Sequence, residues 1–248
     1  MKNQTMPTQL NSKLVRAFLV VTLVIGAGIF SPIADAKKKE LPPVSPEGLK
    51  LVPNTKVSAV YMRDGANFSG YDKVAILDCY VAFVKDWKRD QNDGANPFKV
   101  SDKDVTRIRT ELAAMFKDVF GKSLTAKGET LTTTGGTGVL ILRPAILNLD
   151  VTAPDTMDPG SRTFSASAGT ATLYLELLDG VSGELLMRVM DAEEAGDYGL
   201  AQVRNSVTNR SDAERMLKKW ADRLGEFLQT ARASAGAAPA APATTPVK

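Results

Sequence analysis

The chain has 248 residues, with 31 basic and 28 acidic side chains, no histidine and one cysteine. The absence of histidine excludes Ser-His-Asp and Cys-His catalysis and histidine-bound zinc. A single cysteine excludes an intramolecular disulfide and a thiolate metal cluster, so we expect neither a metal nor a cofactor. The first 36 residues carry three basic and one acidic residue, so residues 37–248 carry 28 and 27 and a net charge of +1. This balance argues against nucleic-acid binding, which usually needs a strong basic excess.

The first 36 residues have the pattern of a secretory signal peptide. A basic start precedes an apolar run over residues 17–30, and Ala34 and Ala36 then form an A-x-A cleavage site. We therefore expect cleavage after Ala36 and export to the periplasm, with no membrane span in the mature chain. An uncleaved membrane anchor is the alternative, although the apolar run is short for a bilayer span.

At both ends of the remaining chain the sequence predicts a segment that does not pack into a hydrophobic core. Residues 37–47 read Lys-Lys-Lys-Glu-Leu-Pro-Pro-Val-Ser-Pro-Glu and predict an extended, solvated leader. Residues 231–248 are mostly Ala, Pro, Ser and Thr. They contain too little apolar bulk to offset the entropy of ordering, so we expect a disordered tail. Residues 48–230 then form a single domain of ordinary size.

The first half of this domain predicts a strand followed by a helix. Residues 71–84 are nearly all apolar and rich in β-branched and aromatic side chains, as in a strand buried on both faces. Residues 56–61 suggest a shorter strand before it. Ser101 and Asp104 have capping-box spacing and open a helix with an apolar stripe that continues to Val119.

The second half predicts three strands and a helix. Residues 139–151 form a strand that contains Pro144, and because proline cannot donate to a ladder, we expect an edge or bulge there. The clearest pattern is a β-hairpin over residues 169–193, with period-two alternation on both sides of a Gly-containing turn. Ser211 and Glu214 form a second capping box and open the final helix.

The resulting order, β-α-β-β-β-α, defines the fold class. A right-handed crossover in the first β-α-β unit places its two strands in parallel, and the hairpin adds antiparallel strands. We therefore expect an α/β domain of the α+β type, with a mixed sheet and two helices packed on it.

Trp87, Lys88 and Arg89, in a polar loop over residues 85–99, are the candidate binding residues. An aromatic ring beside two cations suits a protein contact or stacking on a sugar. The alternative is that Trp87 packs against the sheet, because tryptophan is usually largely buried.

Asp78, Asp179 and Glu184 are the carboxylates on which a histidine-independent hydrolase could depend. If it worked as glycosidases do, it would need two carboxylates roughly 5 to 9.5 Å apart across a cleft. The alternative for each is structural, as a hydrogen-bonded carboxylate near a loop or a turn residue that caps its own backbone. We favour the structural role and predict no catalytic residue.

Two further features invite a chemical interpretation that the sequence does not support. Cys79 lacks a histidine to activate it, so we predict a small buried residue and no reactive thiol. The Gly-Gly-Thr-Gly run at residues 135–138 lacks the Gly-Lys-Ser/Thr ending of a phosphate loop and precedes a strand, so we predict a turn.

Three stretches resemble a known family. They are Gly-Leu-Lys-Leu-Val-Pro at residues 48–53, Gly-Tyr-Asp-Lys-Val-Ala-Ile at 70–76, and the hairpin turn at 178–186 with its D-x-x-S-G-E pattern. Together they are similar to bacterial envelope proteins catalogued as domain of unknown function 3313, many of them lipoproteins, over residues 48–194. Lipoprotein members carry a cysteine at the cleavage site, whereas this chain has Ala36 followed by Lys37. The resemblance therefore implies a non-lipidated protein of the Gram-negative envelope, and it supplies no activity and no catalytic residues.

We therefore expect a non-enzymatic periplasmic protein that binds a protein or cell-envelope partner through a sheet edge or a loop. A histidine-independent hydrolase that acts on an envelope polymer through paired carboxylates is the alternative hypothesis. The sequence leaves the partner and the oligomeric state open.

Overall fold

The computed structural model describes residues 41–93, 99–152, 154, 163–165, 167–196 and 202–236. In this part of the chain the strands are β1 Lys50–Leu51, β2 Ala59–Met62, β3 Lys73–Ile76, β4 Tyr80–Phe83, β5 Thr130–Thr132, β6 Val139–Val151, β7 Thr163–Ser165, β8 Gly169–Asp179, β9 Leu185–Ala195 and β10 Gln202–Arg204. The helices are α1 Trp87–Gln91, α2 Asp102–Ala126 and α3 Ser206–Gly236. The chain forms a single mixed α+β domain, which confirms the predicted fold class.

Eight of the strands form one mixed sheet. Its order is β1-β2-β9-β8-β6-β3-β5, with β4 also paired to β6. β3 and β4 run parallel to β6, and β8 and β9 add the antiparallel hairpin. Both the parallel pair and the hairpin were predicted. A separate two-stranded sheet of β7 and β10 was missed, because both segments are too short for a periodic signal.

The strand predicted over residues 71–84 is two strands, β3 and β4, and Pro144 gives the reason. The backbone N–H of Leu77 donates to the carbonyl of Leu142 at 2.9 Å. Alternate residues of a strand turn their backbone groups to the same edge, so Pro144 faces the break between β3 and β4. Proline has no N–H to donate there. The expectation of a sheet edge or a bulge at Pro144 was wrong, because β6 is central, Pro144 pairs in register with Leu175 of β8, and the interruption falls in the strand on the other side.

The helices pack on one face of the sheet and form the main core with it. Apolar residues of α2 and α3 share this core with the odd-numbered residues of β8, the set that period-two alternation places on one face of the strand, namely Ala171, Leu173, Leu175 and Leu177. The largest fully buried side chains include Phe116 and Phe120 of α2, Leu175 and Leu177 of β8, and Trp220 of α3. The predicted capping box of α2 is present, with Ser101 accepting from the Asp104 N–H and the Asp104 carboxylate accepting from the Ser101 N–H.

Helix α3 differs from the prediction at both ends. It begins at Ser206, ahead of the predicted capping box, because the Asn205 side chain accepts hydrogen bonds from the N–H groups of Val207 and Thr208 at 2.9 and 3.0 Å. It continues to Gly236, so the tail boundary predicted at residue 231 is too early. The remaining residues of the predicted tail lie outside the described part of the chain.

The leader is attached to the sheet from Pro42 onward, in contrast to the solvated segment that was predicted. The Tyr61 hydroxyl donates to the Pro42 carbonyl at 2.9 Å, and the Leu51 N–H donates to the Pro43 carbonyl at 2.9 Å. Glu47 binds Arg188 through two hydrogen bonds of 2.9 Å. The ordered domain therefore begins before Gly48.

A groove between the two long helices as the candidate functional site

The predicted binding residue Trp87 is not available at the surface. Its side chain is buried, its ring stacks on Phe83 with 4.2 Å between centroids, and its Nε1 donates to the Val151 carbonyl at 3.2 Å. Of its two neighbours, Lys88 binds Asp102 at 2.7 Å and Arg89 is exposed. The structure therefore supports the alternative of a tryptophan packed against the sheet, and the three residues do not form one surface.

The three candidate carboxylates have structural contacts, and Asp179 and Glu184 are neighbours at the hairpin turn, where the Asp179 N–H donates to the Glu184 carbonyl at 2.9 Å. Asp78 is almost fully exposed and pairs with Lys117 at 3.2 Å. Asp179 caps the hairpin turn, accepting from the Ser182 N–H at 2.6 Å, and Glu184 pairs with Arg63 at 3.1 Å. The hydrogen bonds from the backbone and hydroxyl of Ser182 lower the pKa of Asp179 to about 2. These contacts agree with the alternative role for these residues, in which each carboxylate supports the local structure and takes no part in catalysis.

Shifted carboxyl groups in the described part of the chain all have a lowered pKa. They are Glu47, Asp104, Glu176, Asp179, Glu193 and Asp222. For Glu176 and Glu193, burial is the largest single influence and acts upward on the pKa, yet the surrounding donors together outweigh it. A general acid needs a raised pKa to hold its proton near neutral pH. None of these six groups is therefore suited to proton donation, and a carboxylate hydrolase gains no support from them.

Cys79 is a small buried residue in the break between β3 and β4. Burial raises the pKa of its thiol to about 12, which keeps it protonated and unreactive at neutral pH. Among the described residues no cluster of three or more histidine, cysteine or carboxylate side chains could hold a metal ion.

A groove of about 410 Å³ lies between the N-terminal halves of α2 and α3. Its floor is the end of β6 and the start of β8. The apolar part of the lining includes Leu112, Met115, Leu149, Ala171, Ala213 and Met216, and no aromatic side chain occurs among its described residues. A volume and lining of this kind are typical of sites for small apolar ligands. We call this feature the α2–α3 groove.

The start of α3 is held at the groove by a buried ion pair. Arg204, whose side chain is fully buried, pairs with the buried carboxylate of Asp212. Arg204 also donates to the carbonyls of Ser165 and Gly196, at 3.1 and 3.3 Å. A side chain on Gly196 would overlap the Asp212 carboxylate, so only glycine fits there. One arginine thereby joins β7, the end of β9 and α3, and it fixes one wall of the groove.

The C-terminal halves of the same two helices are closed against each other. The Ser123 hydroxyl donates to Asp222 at 2.5 Å, and Gln229 donates to the Lys127 carbonyl at 2.8 Å. Beyond the end of α2, Arg232 binds the buried carboxylate of Glu129 through two hydrogen bonds of 2.6 and 2.8 Å. The helix pair therefore has a clasped end and an open end, and the groove is the open end.

The rim of the groove carries both signs of charge and an exposed apolar side chain. Arg107 and Glu111 come from α2, Asp150 from β6 and Arg210 from α3. Val207, in the first turn of α3, is 73% exposed. An exposed valine beside an apolar groove extends its apolar surface outward.

Sequence reasoning missed this site because its walls depend on where α3 begins. Val207 and Arg210 both precede Ser211, where the sequence predicted the final helix to begin. The signal that could have located the helix start is Asn205, a preferred N-cap residue.

None of the helices in the part of the chain described here combines the length and apolar character that a bilayer crossing needs. The predicted cleavage residues Ala34 and Ala36 lie outside the described residues.

Fold and groove together define a single α+β domain with a ligand-sized cleft on its helical side. Residues 44–224 match the sequence model of the family described as "Protein of unknown function (DUF3313)". The chain belongs to this family, as its motifs predict. No curated protein sequence matches it.

Several solved structures have a distant likeness to the chain. A PelC dodecamer from Paraburkholderia phytofirmans has 11% identity and a TM-score of 0.34, covering 66% of this chain and 96% of that one. Protein XCC0632 from Xanthomonas campestris has 9% identity and a TM-score of 0.39, covering 76% and 95%. The hypothetical protein CT253 from Chlamydia trachomatis has 9% identity and a TM-score of 0.34, covering 64% and 99%. Values this low carry no information on function.

Proposed function

We propose that this protein is a non-enzymatic binding protein of the bacterial cell envelope that holds its partner in the α2–α3 groove. The observation that carries the proposal is the groove itself, an apolar cleft of about 410 Å³ with a charged rim. The predicted contact through the Trp87 loop is replaced, because that ring is buried. Export to the periplasm after cleavage at Ala36 is part of the proposal and is supported by the composition of the first 36 residues.

Two exposed valines allow a matched test of the groove. Val207 lies on the rim and is 73% exposed, whereas Val181 lies in the hairpin turn and is 70% exposed. The groove is at the other end of the same hairpin, and β8 alone has 11 residues. A strand of that length spans roughly 35 Å, so the two valines sample different surfaces.

A photo-cross-linking amino acid is placed at residue 207 or at residue 181 in the protein expressed in its own host. We expect a reproducible adduct at 207 only, and its mass distinguishes a small molecule from a protein. Ala213→Trp fills the groove and should remove the adduct. Equal labelling at both positions, or no adduct at 207, would contradict the proposal.

The proposed periplasmic location is tested separately by mass spectrometry of the exported protein. We expect an N-terminus at Lys37 in the periplasmic fraction. An intact N-terminus in the membrane fraction would support the uncleaved anchor and overturn this part of the proposal.

A further inference from the structure

We infer that Asn148 is a positioning residue of the α2–α3 groove, because it is an extra residue in β6 that sets the direction of the groove floor. The inference rests on the proposed function, since it assigns a role in the same binding site. It is carried by the pairing of β6 with its two neighbours, by the backbone conformation of Asn148, and by the position of the groove lining along the strand.

Strand β6 contains one residue more than the strands on either side of it. Over the stretch that includes Asn148, β6 advances by three residues while β8 and β4 each advance by two. The pairs that define this step are Leu147–Thr172 and Asp150–Thr170 with β8, and Ile146–Val81 and Leu149–Phe83 with β4. Without Asn148 the pairing would continue in register on both sides. The pairing of the sheet therefore does not require this residue.

Asn148 has the backbone conformation of a residue in a bulge. Its φ is 49°, and among the described residues it is the non-glycine residue with a positive φ that lies inside a strand. This conformation is unfavourable for side chains in general, although asparagine tolerates it better than most. A bulge leaves the extra residue out of the ladder, bends the strand and increases its twist. An unfavourable conformation that is kept in a central strand indicates a role beyond the pairing of that strand.

The bulge lies where the packed core ends and the groove begins. The residues of β6 that line the groove are Leu149, Asp150 and Val151, and all of them follow Asn148. Ile146, ahead of the bulge, is fully buried and is not part of the lining. On β8 the lining is limited to residues 169–171, which are next to this part of β6. The floor of the groove is therefore the part of the sheet beyond the bulge, where the direction of β6 has changed.

The end of β6 beyond the bulge is fixed from two sides. Trp87 and Gln91 of α1 both donate from their side chains to the Val151 carbonyl, at 3.2 and 3.3 Å. On the other side, a side chain on Gly169 would overlap the Asp150 carbonyl, so the two backbones approach closely there. A floor held on both sides keeps the direction that the bulge gives it. Trp87 thereby supports the groove from beneath instead of contacting a partner.

Deletion of Asn148 tests the inference, because it removes the extra residue and leaves the pairing on both sides in register. The photo-cross-linking amino acid at residue 207 again reports on the groove, in the protein expressed in its own host. We expect the deletion to lower the yield of the adduct several-fold. The midpoint of thermal unfolding should stay unchanged or rise, because the deleted residue has an unfavourable conformation and is left out of the ladder.

Substitutions separate the backbone conformation of Asn148 from its side chain. Asn148→Gly adopts a positive φ without a steric penalty and should retain the adduct. Asn148→Val disfavours this φ, because its side chain is β-branched, and should lower the yield several-fold. Asn54→Val is the matched control, since Asn54 is also exposed, has a φ of 57° and lies outside the groove lining. It introduces the same conformational conflict and should leave the adduct unchanged.

The outcomes distinguish this inference from the proposed function. A full yield of adduct after deletion of Asn148 would overturn the inference and leave the proposed function intact. An equal loss of adduct in Asn148→Val and Asn54→Val would do the same, because it would reflect a general loss of stability. A deletion variant that does not fold would show that the sheet needs the extra residue, and it would also overturn the inference.

A second measurement reports on the groove without any partner. Ala213→Cys places a thiol in the groove wall, and the native cysteine, Cys79, is buried and unreactive. The rate of labelling by a thiol reagent should differ several-fold between proteins with and without Asn148. If no adduct forms at residue 207 even with Asn148 present, the proposed function is overturned, and the labelling rates still decide the inference. Equal rates would overturn it.

Discussion

The two ends of the α2–α3 pair differ in what holds them. At the C-terminal end, Ser123 and Asp222 are joined by a hydrogen bond of 2.5 Å, and Arg232 neutralises the buried carboxylate of Glu129. At the N-terminal end the helices are separated by a groove of about 410 Å³, and α3 is fixed from outside the pair by Arg204. One helix pair can therefore provide stability at one end and a ligand-sized opening at the other.

This difference indicates that contacts outside the helix pair keep the groove at the open end from collapsing. A cavity lined with apolar side chains forfeits packing, so an unsupported one tends to collapse. Here Arg204 and Asp212 hold the wall in place, and breaking a buried pair of this kind costs about 3–5 kcal/mol. The groove persists because its wall is fixed by charges that do not depend on filling it.

Replacement of Trp220 should lower the free energy of unfolding the most, because this residue packs in the core between the open and clasped ends of α3. Its side chain is 2% exposed and its Nε1 donates to Asp191 at 3.0 Å. Trp220→Ala should lower the free energy of unfolding by about 3–5 kcal/mol in urea denaturation. Trp220→Phe keeps most of the packing and should lose less. An unchanged urea midpoint for the alanine variant would show that α3 does not depend on this contact.

Loss of Arg232 should break the clasped end. Arg232→Ala leaves Glu129 as a buried carboxylate without its partner, and we expect a loss of about 3 kcal/mol, at the low end of the range because Arg232 is partly exposed. Truncation after residue 231 removes the same arginine, whereas truncation after residue 236 retains it. Equal stability of the two truncated proteins would contradict the role of this pair. Arg210→Ala is the exposed control and should change stability by less than about 0.5 kcal/mol.

The same substitution at the two ends should have different costs. Ala221 is fully buried in the core, so Ala221→Met overfills it and should cost about 1–3 kcal/mol. Ala213 lines the groove, so Ala213→Met extends into open space and should change stability by less than about 1 kcal/mol. Thermal unfolding of the two variants measures the contrast. Equal destabilisation would mean that the groove is not open space.

Low pH should slightly reduce the stability of the clasped end, because Asp222 becomes protonated. Hydrogen bonds from Lys218 and then Ser123 lower the pKa of Asp222 below its ordinary value of 3.8. A carboxyl group with a lowered pKa in the folded state contributes stability above pH 3.8 and loses it as the pH falls through the folded-state pKa. In Asp222→Asn, the free energy of unfolding should therefore fall less steeply below pH 4 than in the unmodified protein. Urea denaturation at each pH measures this difference. An unchanged pH profile would show that Asp222 contributes nothing to this end.

Local sequence patterns correctly predicted the elements whose formation depends on residues close together in the chain. The hairpin of β8 and β9 follows from period-two alternation and a turn with an Asp and two glycines, and the start of α2 follows from Ser101 and Asp104. The start of α3 was placed too late because the capping box at Ser211 and Glu214 is a locally valid signal within a longer helix. Here the cap at Asn205 and the buried pair of Arg204 decide the boundary.

The sequence by itself determined the fold class, the family and the exclusion of histidine and disulfide chemistry. These depend on composition, on periodicity and on motifs that span a few residues. Only the tertiary structure decided that Trp87 is buried, that Pro144 divides a neighbouring strand, that α3 continues past residue 231, and that α2 and α3 enclose a groove. Each of these results from contacts between residues far apart in the chain, such as Arg232 with Glu129 and Arg204 with Ser165. Local sequence patterns do not specify such pairings, because their energies appear only when the chain brings the partners together.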